Sequence, residues 1–244
     1  MKLERKVAFV TGGSGDIGRS ICNNLILSGF NVAIGYKTNE KNAHSIAKKN
    51  KTIAVYVDVS SRQSIRQAIK KCKRFFGKDI DVLINNAAMS QEKQFEKISD
   101  KDWDNMLITN LRGPFMFSQE VIPNMIKKKW GRIVNVVSIG GQWGGYNQVH
   151  YAAAKAGLIN LTKSLSNIYA KYGITINAVS PGLVESKMSK KELRTALGKC
   201  KVKNIPIGRI ANPDEIANVV SFLCSNDASY ITSQTINVNG GMLS

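Results

Sequence analysis

Tyr151 and Lys155 stand at i, i+4 in Tyr151-Ala152-Ala153-Ala154-Lys155, a spacing that stacks a phenol and an ammonium on one face of a helix. A second stretch with chemistry in it is Thr11-Gly12-Gly13-Ser14-Gly15-Asp16-Ile17-Gly18-Arg19, which leads from an apolar run into a helical pattern. Such a turn brings backbone N–H groups and the positive end of a helix dipole against a pyrophosphate, and glycine lets the backbone come close. It points to a nucleotide ligand. Asn85-Asn86-Ala87-Ala88 and Ser138 each follow a later apolar run. Taken singly these polar residues are ordinary, and only the whole constellation gives them meaning. His150 adjoins Tyr151, but helical neighbours point about 100° apart, so it reads as structural or substrate-lining.

Short β-branched runs alternating with amphipathic stretches must position these residues. The alternation predicts an α/β, doubly wound parallel sheet with helices on both faces. Seven strands are expected at 6–10, 31–36, 52–57, 81–84, 132–137, 175–179 and 235–238, and helices at 17–28, 40–49, 61–76, 99–128, 149–172 and 213–224. One domain accounts for residues 1–244, with the least regular stretch, 182–210, expected to be a mobile substrate lid.

The 244 residues are 43% hydrophobic and 21% charged with five prolines, a globular composition that excludes disorder and collagen. No apolar run approaches the roughly 20 residues a bilayer requires, and the opening residues lead into a strand pattern rather than a signal peptide. The expectation is a soluble, unexported, cytoplasmic protein. Cys22, Cys72, Cys200 and Cys224 are scattered without a CxxC pair, so neither a metal site nor a disulfide framework is expected. Lysine and arginine number 35 against 17 acids, a net charge of +18, which favours anionic partners. The longest basic cluster, Lys127-Lys128-Lys129, has no zinc-finger spacing or RNA-binding aromatic motif beside it, so no nucleic-acid partner is expected.

In order, the glycine turn, Asn85-Asn86-Ala87, Asn110, Ser138 and Tyr151-x-x-x-Lys155 resemble the short-chain dehydrogenase/reductase family, and the likeness covers residues 6–241. Asn-Ala-Val-Ser-Pro-Gly at 177–182 and Asn-Val-Asn-Gly-Gly at 237–241 add two more matches. Within the family the chain looks most like the 3-oxoacyl-(acyl-carrier-protein) reductases and the acetoacetyl-CoA reductases. The resemblance implies a Rossmann fold and four catalytic residues. Tyr151 would give a proton to the carbonyl oxygen as hydride arrives at carbon, and Ser138 would hydrogen-bond that oxygen. Lys155 would hold the nicotinamide ribose and lower the pKa of Tyr151, ordinarily about 10. Asn110 would fix a water linking Lys155 to solvent.

The implied cofactor contacts are Gly12, Ser14, Gly15, Asp16, Ile17 and Gly18 in the turn, then Tyr36, Lys37, Asp58, Val59, Asn86, Ala87 and Ala88, with Tyr151, Lys155, Pro181, Gly182 and Val184. Substrate contacts are expected from Ser138, Tyr151, Gln142, Trp143, Tyr146, Leu183 and Met188. Asp16 replaces a glycine of the family's turn, and its carboxylate should repel a pyrophosphate unless it caps the helix or faces solvent; Ala88 adds a methyl where the family often has glycine. Tyr36-Lys37-Thr38 carries no acid at the end of the second strand, so NADP(H) is expected, with Lys37 on the 2′-phosphate and Asp58 at the adenine edge. An acidic acyl carrier protein or a CoA thioester is the expected substrate carrier, met by a basic face with Lys129 and Arg132. Tyr172 stands where the family has a second docking arginine. A reductase of another small ketone or alcohol, such as a sugar or steroid, and a catalytically idle basic interaction protein are the alternatives. A homotetramer is expected, with Ala153, Gly157, Asn160 and Ser164 as its small-residue helix contact.

Overall fold

The computed structural model describes residues 5–48, 52–186 and 202–243. Its strands are β1 (Val7–Val10), β2 (Asn31–Tyr36), β3 (Thr52–Tyr56), β4 (Val82–Asn85), β5 (Gly131–Val136), β6 (Ile174–Pro181) and β7 (Thr235–Val238). They form one parallel seven-stranded sheet in the order β3-β2-β1-β4-β5-β6-β7. The strand order runs outward in both directions from β1 and β4, so the carboxyl ends of these two strands border the crevice where doubly wound sheets take ligands.

The helices are α1 (Asp16–Leu27), α2 (Glu40–Ile46), α3 (Arg62–Phe76), α4 (Asp100–Leu107), α5 (Gly113–Lys128), α6 (Gly140–Trp143), α7 (Val149–Tyr169) and α8 (Pro213–Cys224). Unbroken apolar strands follow from having helices on both sides. In β1, Ala8 and Val10 join a core with Ile21 and Leu25 of α1 and Ile216 and Val220 of α8. Val7 and Phe9 face the opposite core, with Ile65 of α3 and Phe117 of α5, and the Phe9 and Phe117 rings lie 4.9 Å apart. Each large side chain so buried contributes roughly 1.5–3 kcal/mol. Gly29 and Gly173 sit at positive φ after helix ends, and Asn212 and Glu215 form a capping box around Pro213.

Residues 99–128 do not form the single expected helix. α4 passes into a π-helical turn, Ile108–Arg112, before α5 begins. The reason lies in Gly113-Pro114: proline has no N–H to donate to the carbonyl four residues back, which is that of Asn110. The inward face of α7 is partly polar: Ala154 and Leu158 are buried beside the hydrogen-bonded Thr162 and Ser166, while Ile168 is 53% exposed. Gly157 packs inside the subunit, because a Cβ there would lie 2.9 Å from Leu111 of the π turn.

No described helix is long and apolar enough to cross a membrane, and the described residues contain no metal-like cluster. Residues 187–201, including Cys200 and Met188, lie outside the described part. So does most of the expected lid.

Candidate active site

The glycine turn is built by its neighbours as much as by its own residues. Thr11 Oγ1 donates to the Ile84 carbonyl (3.1 Å) and accepts from the N–H groups of Asn86 (2.9 Å) and Ala87 (3.0 Å). Asn86 Nδ2 donates to the carbonyls of Thr11 (3.0 Å) and Gly12 (3.1 Å). Gly12 has φ of 61°, and a Cβ on it would come within 2.8 Å of the Ala87 backbone, while one on Gly18 would overlap the Gly12 carbonyl. A Cβ on Gly15 would meet only the Gly12 carbonyl, at 3.5 Å.

Gly15 is also the N-cap of α1 and offers no side-chain cap, so the first N–H groups of this 12-residue helix open toward the crevice. This is a cradle of backbone donors, and it fits a pyrophosphate. Asp16 stands in the first helical turn rather than at the cap, where the helix dipole favours a carboxylate. Ser14 is buried, and Ile17 packs against the α1 core.

At the ends of β2 and β3, Lys37 Nζ meets Asp58 Oδ2 at 2.7 Å. Asp58 Oδ1 accepts from the N–H (3.0 Å) and hydroxyl (2.6 Å) of Ser60. Partial burial works to raise the Asp58 pKa, but the Lys37 and Ser60 hydrogen bonds and the Lys37 charge outweigh it, and the carboxyl titrates below its ordinary range. Two residues expected beside them turn elsewhere. The Tyr36 hydroxyl donates to Glu40 of α2 at 2.9 Å, and the Val59 side chain is buried in the core with Phe117.

Ser138 lies beyond the end of β5, where its Oγ accepts from the Gly140 N–H at 3.2 Å and acts on the Tyr151 phenol. Burial raises the pKa of Tyr151, with the Ser138 hydroxyl acting against it, so the phenol stays protonated at neutral pH. The expected lowering by Lys155 is not seen, since the Lys155 Nζ lies 5.7 Å from the ring centroid and donates instead to the Val136 carbonyl at 2.8 Å. Lys155 is 2% exposed, and burial brings its pKa down to about 8. Gly141 lets α6 sit directly on it, because a Cβ there would lie 2.8 Å from the Lys155 Cβ.

Fully buried Asn110 spends its side chain on the loop after β4: Oδ1 accepts from the Met89 N–H (2.9 Å) and Nδ2 donates to the Met89 carbonyl (2.8 Å). Its own carbonyl is the one to which Pro114 has no N–H to donate. Ala88 lies in the same loop, between the two anchored residues Ala87 and Met89.

A family model described as "Enoyl-(Acyl carrier protein) reductase" matches residues 13–243. The chain belongs to the short-chain dehydrogenase/reductase family. It is 41% identical over 247 residues to the 3-oxoacyl-(acyl-carrier-protein) reductase of Aquifex aeolicus, covering 99% of both chains. The namesake from Vibrio cholerae is 40% identical over 249 residues, again covering 99% of each. A putative gluconate dehydrogenase from Agrobacterium tumefaciens has a similar solved structure, with 30% identity, a TM-score of 0.93 and coverage of 98% and 96%. These names differ in substrate. As a short-chain dehydrogenase/reductase, the chain is a nicotinamide-dependent oxidoreductase acting on ketone or alcohol groups.

Against that family frame, the expected substrate residues separate. Trp143 (51% exposed) and Tyr146 (95%) stand on an open rim. Gln142 is turned away from it, its Nε2 donating to Ser180 Oγ and Asn237 Oδ1, both at 2.7 Å. Leu183 lines a cavity of about 300 Å³ with Ile205, Ile207, Arg209 and Asn237, which neither Ser138 nor Tyr151 borders. Pro181 and Gly182 end β6 on the catalytic edge, bonded to Ile139 and Val238 respectively, and Val184 bridges to Ala211.

Arg132 is not on a basic face. It is 3% exposed, its guanidinium 4.4 Å over the Trp130 ring and bonded to the carbonyls of Gly131, Gly173 and Ser225. A buried cation needs such partners, and the Ser225 carbonyl at the end of α8 is one of the three that supply them. Thr11 and Gly141 are the supporting residues that motif reading passed over. The Thr-Gly opening of the turn was the available signal for the first; nothing local marked the second.

Proposed function

We propose that this chain reduces 3-oxoacyl thioesters, carried by an acyl carrier protein or CoA, to 3-hydroxyacyl thioesters with NADPH, a step of fatty-acid synthesis. The observation that carries this reading is the Ser138–Tyr151 hydroxyl pair with the buried Lys155 beneath it. A bound nicotinamide would supply the hydride for the carbonyl carbon. Ser138 orients the carbonyl oxygen, and Tyr151, kept neutral by burial, gives that oxygen its proton. The phenolate left behind is offset by the Lys155 ammonium, which with a pKa of about 8 is mostly charged at pH 7. A water fixed by Asn110 would link Lys155 to solvent and return the proton.

The cofactor preference is supported by Lys37, the one cation at 36–38, and by the absence of an acid there. The names of the Aquifex and Vibrio relatives favour a carrier-linked substrate. Carrier docking narrows to Lys129, which is exposed at the start of β5. That residue lies nine positions before Ser138, roughly 30 Å at about 3.3 Å per residue, so a carrier there would serve another subunit's site more readily. We also infer a homotetramer, supported by apolar side chains left in solvent on α5 and α7, Phe115 at 40% and Ile168 at 53% exposed. Light scattering reads that directly.

The name of the Agrobacterium neighbour favours a second reading, a dehydrogenase of a sugar acid. Loss of reduced-nicotinamide absorbance separates the two. Turnover with acetoacetyl-CoA and NADPH is the expected result, whereas turnover with gluconate and an oxidised cofactor alone would replace the first reading with the second.

A further inference from the structure

The loop after β4 is anchored at nearly every residue to the catalytic edge. Beyond Met89 and its bonds to Asn110, Ser90 Oγ accepts from Gln148 Nε2 (3.3 Å), and the Lys93 N–H donates to the Asn147 carbonyl (2.8 Å). Between them, Gln91 Oε1 lies 2.9 Å from Nε2 of His150, the residue that precedes Tyr151 on α7. Gln91 Nε2 donates to Asp102 Oδ1 (3.1 Å), and Asp102 Oδ2 pairs with Lys93 Nζ (2.6 Å).

The chain of partners fixes every proton. A carboxylate only accepts, so Asp102 turns the NH₂ of Gln91 toward itself and leaves the Gln91 oxygen facing His150. That oxygen in turn requires a hydrogen on Nε2. In the neutral ring Nδ1 therefore carries a lone pair, and this atom is buried with no hydrogen-bond partner among the described residues.

We propose that His150 is a positioning residue of the reductase, a latch whose neutral Nε2–H tautomer ties the loop after β4 to the turn of α7 that carries Tyr151, and which acid releases. His150 is fully buried. Protonation would put a charge on a ring cut off from water and add an Nδ1–H where no acceptor stands among the described residues, a state relieved by opening the loop to water. The charged groups acting on the ring are Asp102 of α4, which favours the imidazolium, and Lys93 of the loop, which opposes it. Burial is the larger influence and holds the ring below its ordinary titration range, so the latched state prevails at neutral pH and is lost as pH falls.

The kinetic part rests on the reductase reading, and a spectroscopic arm stands apart from it. With two histidines in the chain, a His44→Asn variant assigns the imidazole resonances of the other. Nitrogen-15 imidazole NMR should show an Nε2–H tautomer for His150, with protonation below the ordinary range and accompanied by faster amide exchange at 89–93. An Nδ1–H tautomer, or titration without loop opening, overturns the proposal even if no substrate is ever turned over.

In kinetics, His150→Phe should lower kcat/KM about tenfold at pH 7. His150→Gln, which keeps a donor but cannot titrate, should recover to within threefold and lose the acid limb of the pH profile. An unchanged acid limb in His150→Gln, or equal melting losses in both variants with intact kcat/KM, reduces His150 to a packing residue and overturns the latch.

Discussion

Lys37, at the ends of β2 and β3, keeps 55% of its side chain in solvent and meets the Asp58 carboxylate at 2.7 Å, whereas Lys155 is 2% exposed and donates to a backbone carbonyl. On the proposed reading the first ammonium serves recognition, since its Coulomb attraction acts through water and costs little to redirect from Asp58 to another anion. The second, on that reading, serves proton chemistry, since loss of water brings its pKa to about 8. Where a lysine sits therefore decides what it does, and identical side chains at two ends of one crevice should respond to substitution very differently.

The largest effect belongs to the buried end. Tyr151→Phe removes the hydroxyl and little else, so kcat should fall about 10²- to 10⁴-fold while cofactor titration by fluorescence stays near the parent. A parent-like kcat would break the assignment of the buried end to proton transfer.

Next comes the pH response of Lys155. The ammonium is the active form, so kcat/KM should decline as pH rises past about 8. Stability should move the other way. The native pKa lies below the unfolded value of 10.5, so the folded state binds fewer protons between about pH 8 and 10.5, and unfolding free energy rises across that window. The gain is on the order of 3 kcal/mol. Urea titrations at several pH values should show the rise in the parent and its loss in Lys155→Met; the same slope in both would show that this ammonium is not desolvated in solution.

The smallest effect lies at the exposed end. Lys37→Ala should weaken NADPH several-fold with NADH unchanged, in keeping with the modest strength of a screened surface charge. Asp58→Asn should sharpen the contrast, since it frees Lys37 and should tighten NADPH in a salt-dependent way. Parallel specificity constants for both cofactors in Lys37→Ala would remove this lysine from the choice.

The division between what was readable and what was not follows the range of the forces involved. Strand runs, the glycine turn, the Asn212 cap and the i, i+4 pairing of Tyr151 with Lys155 are properties of a few adjacent residues, and all seven strands appear with ends shifted by at most two residues. Even the π turn had a local cause in Gly113-Pro114, though motif reading passed over it.

The orientation of long side chains was settled only by residues far away in the chain. Gln142 is held by Ser180 and Asn237, and Arg132 finds the end of α8. Each of these side chains had more than one plausible environment. Burial and hydrogen-bond satisfaction chose among them, and both are sums over neighbours that exist only once the sheet and its helices have assembled. The backbone of the crevice was therefore written locally in the sequence, while the charge states and directions of the groups within it came from tertiary packing.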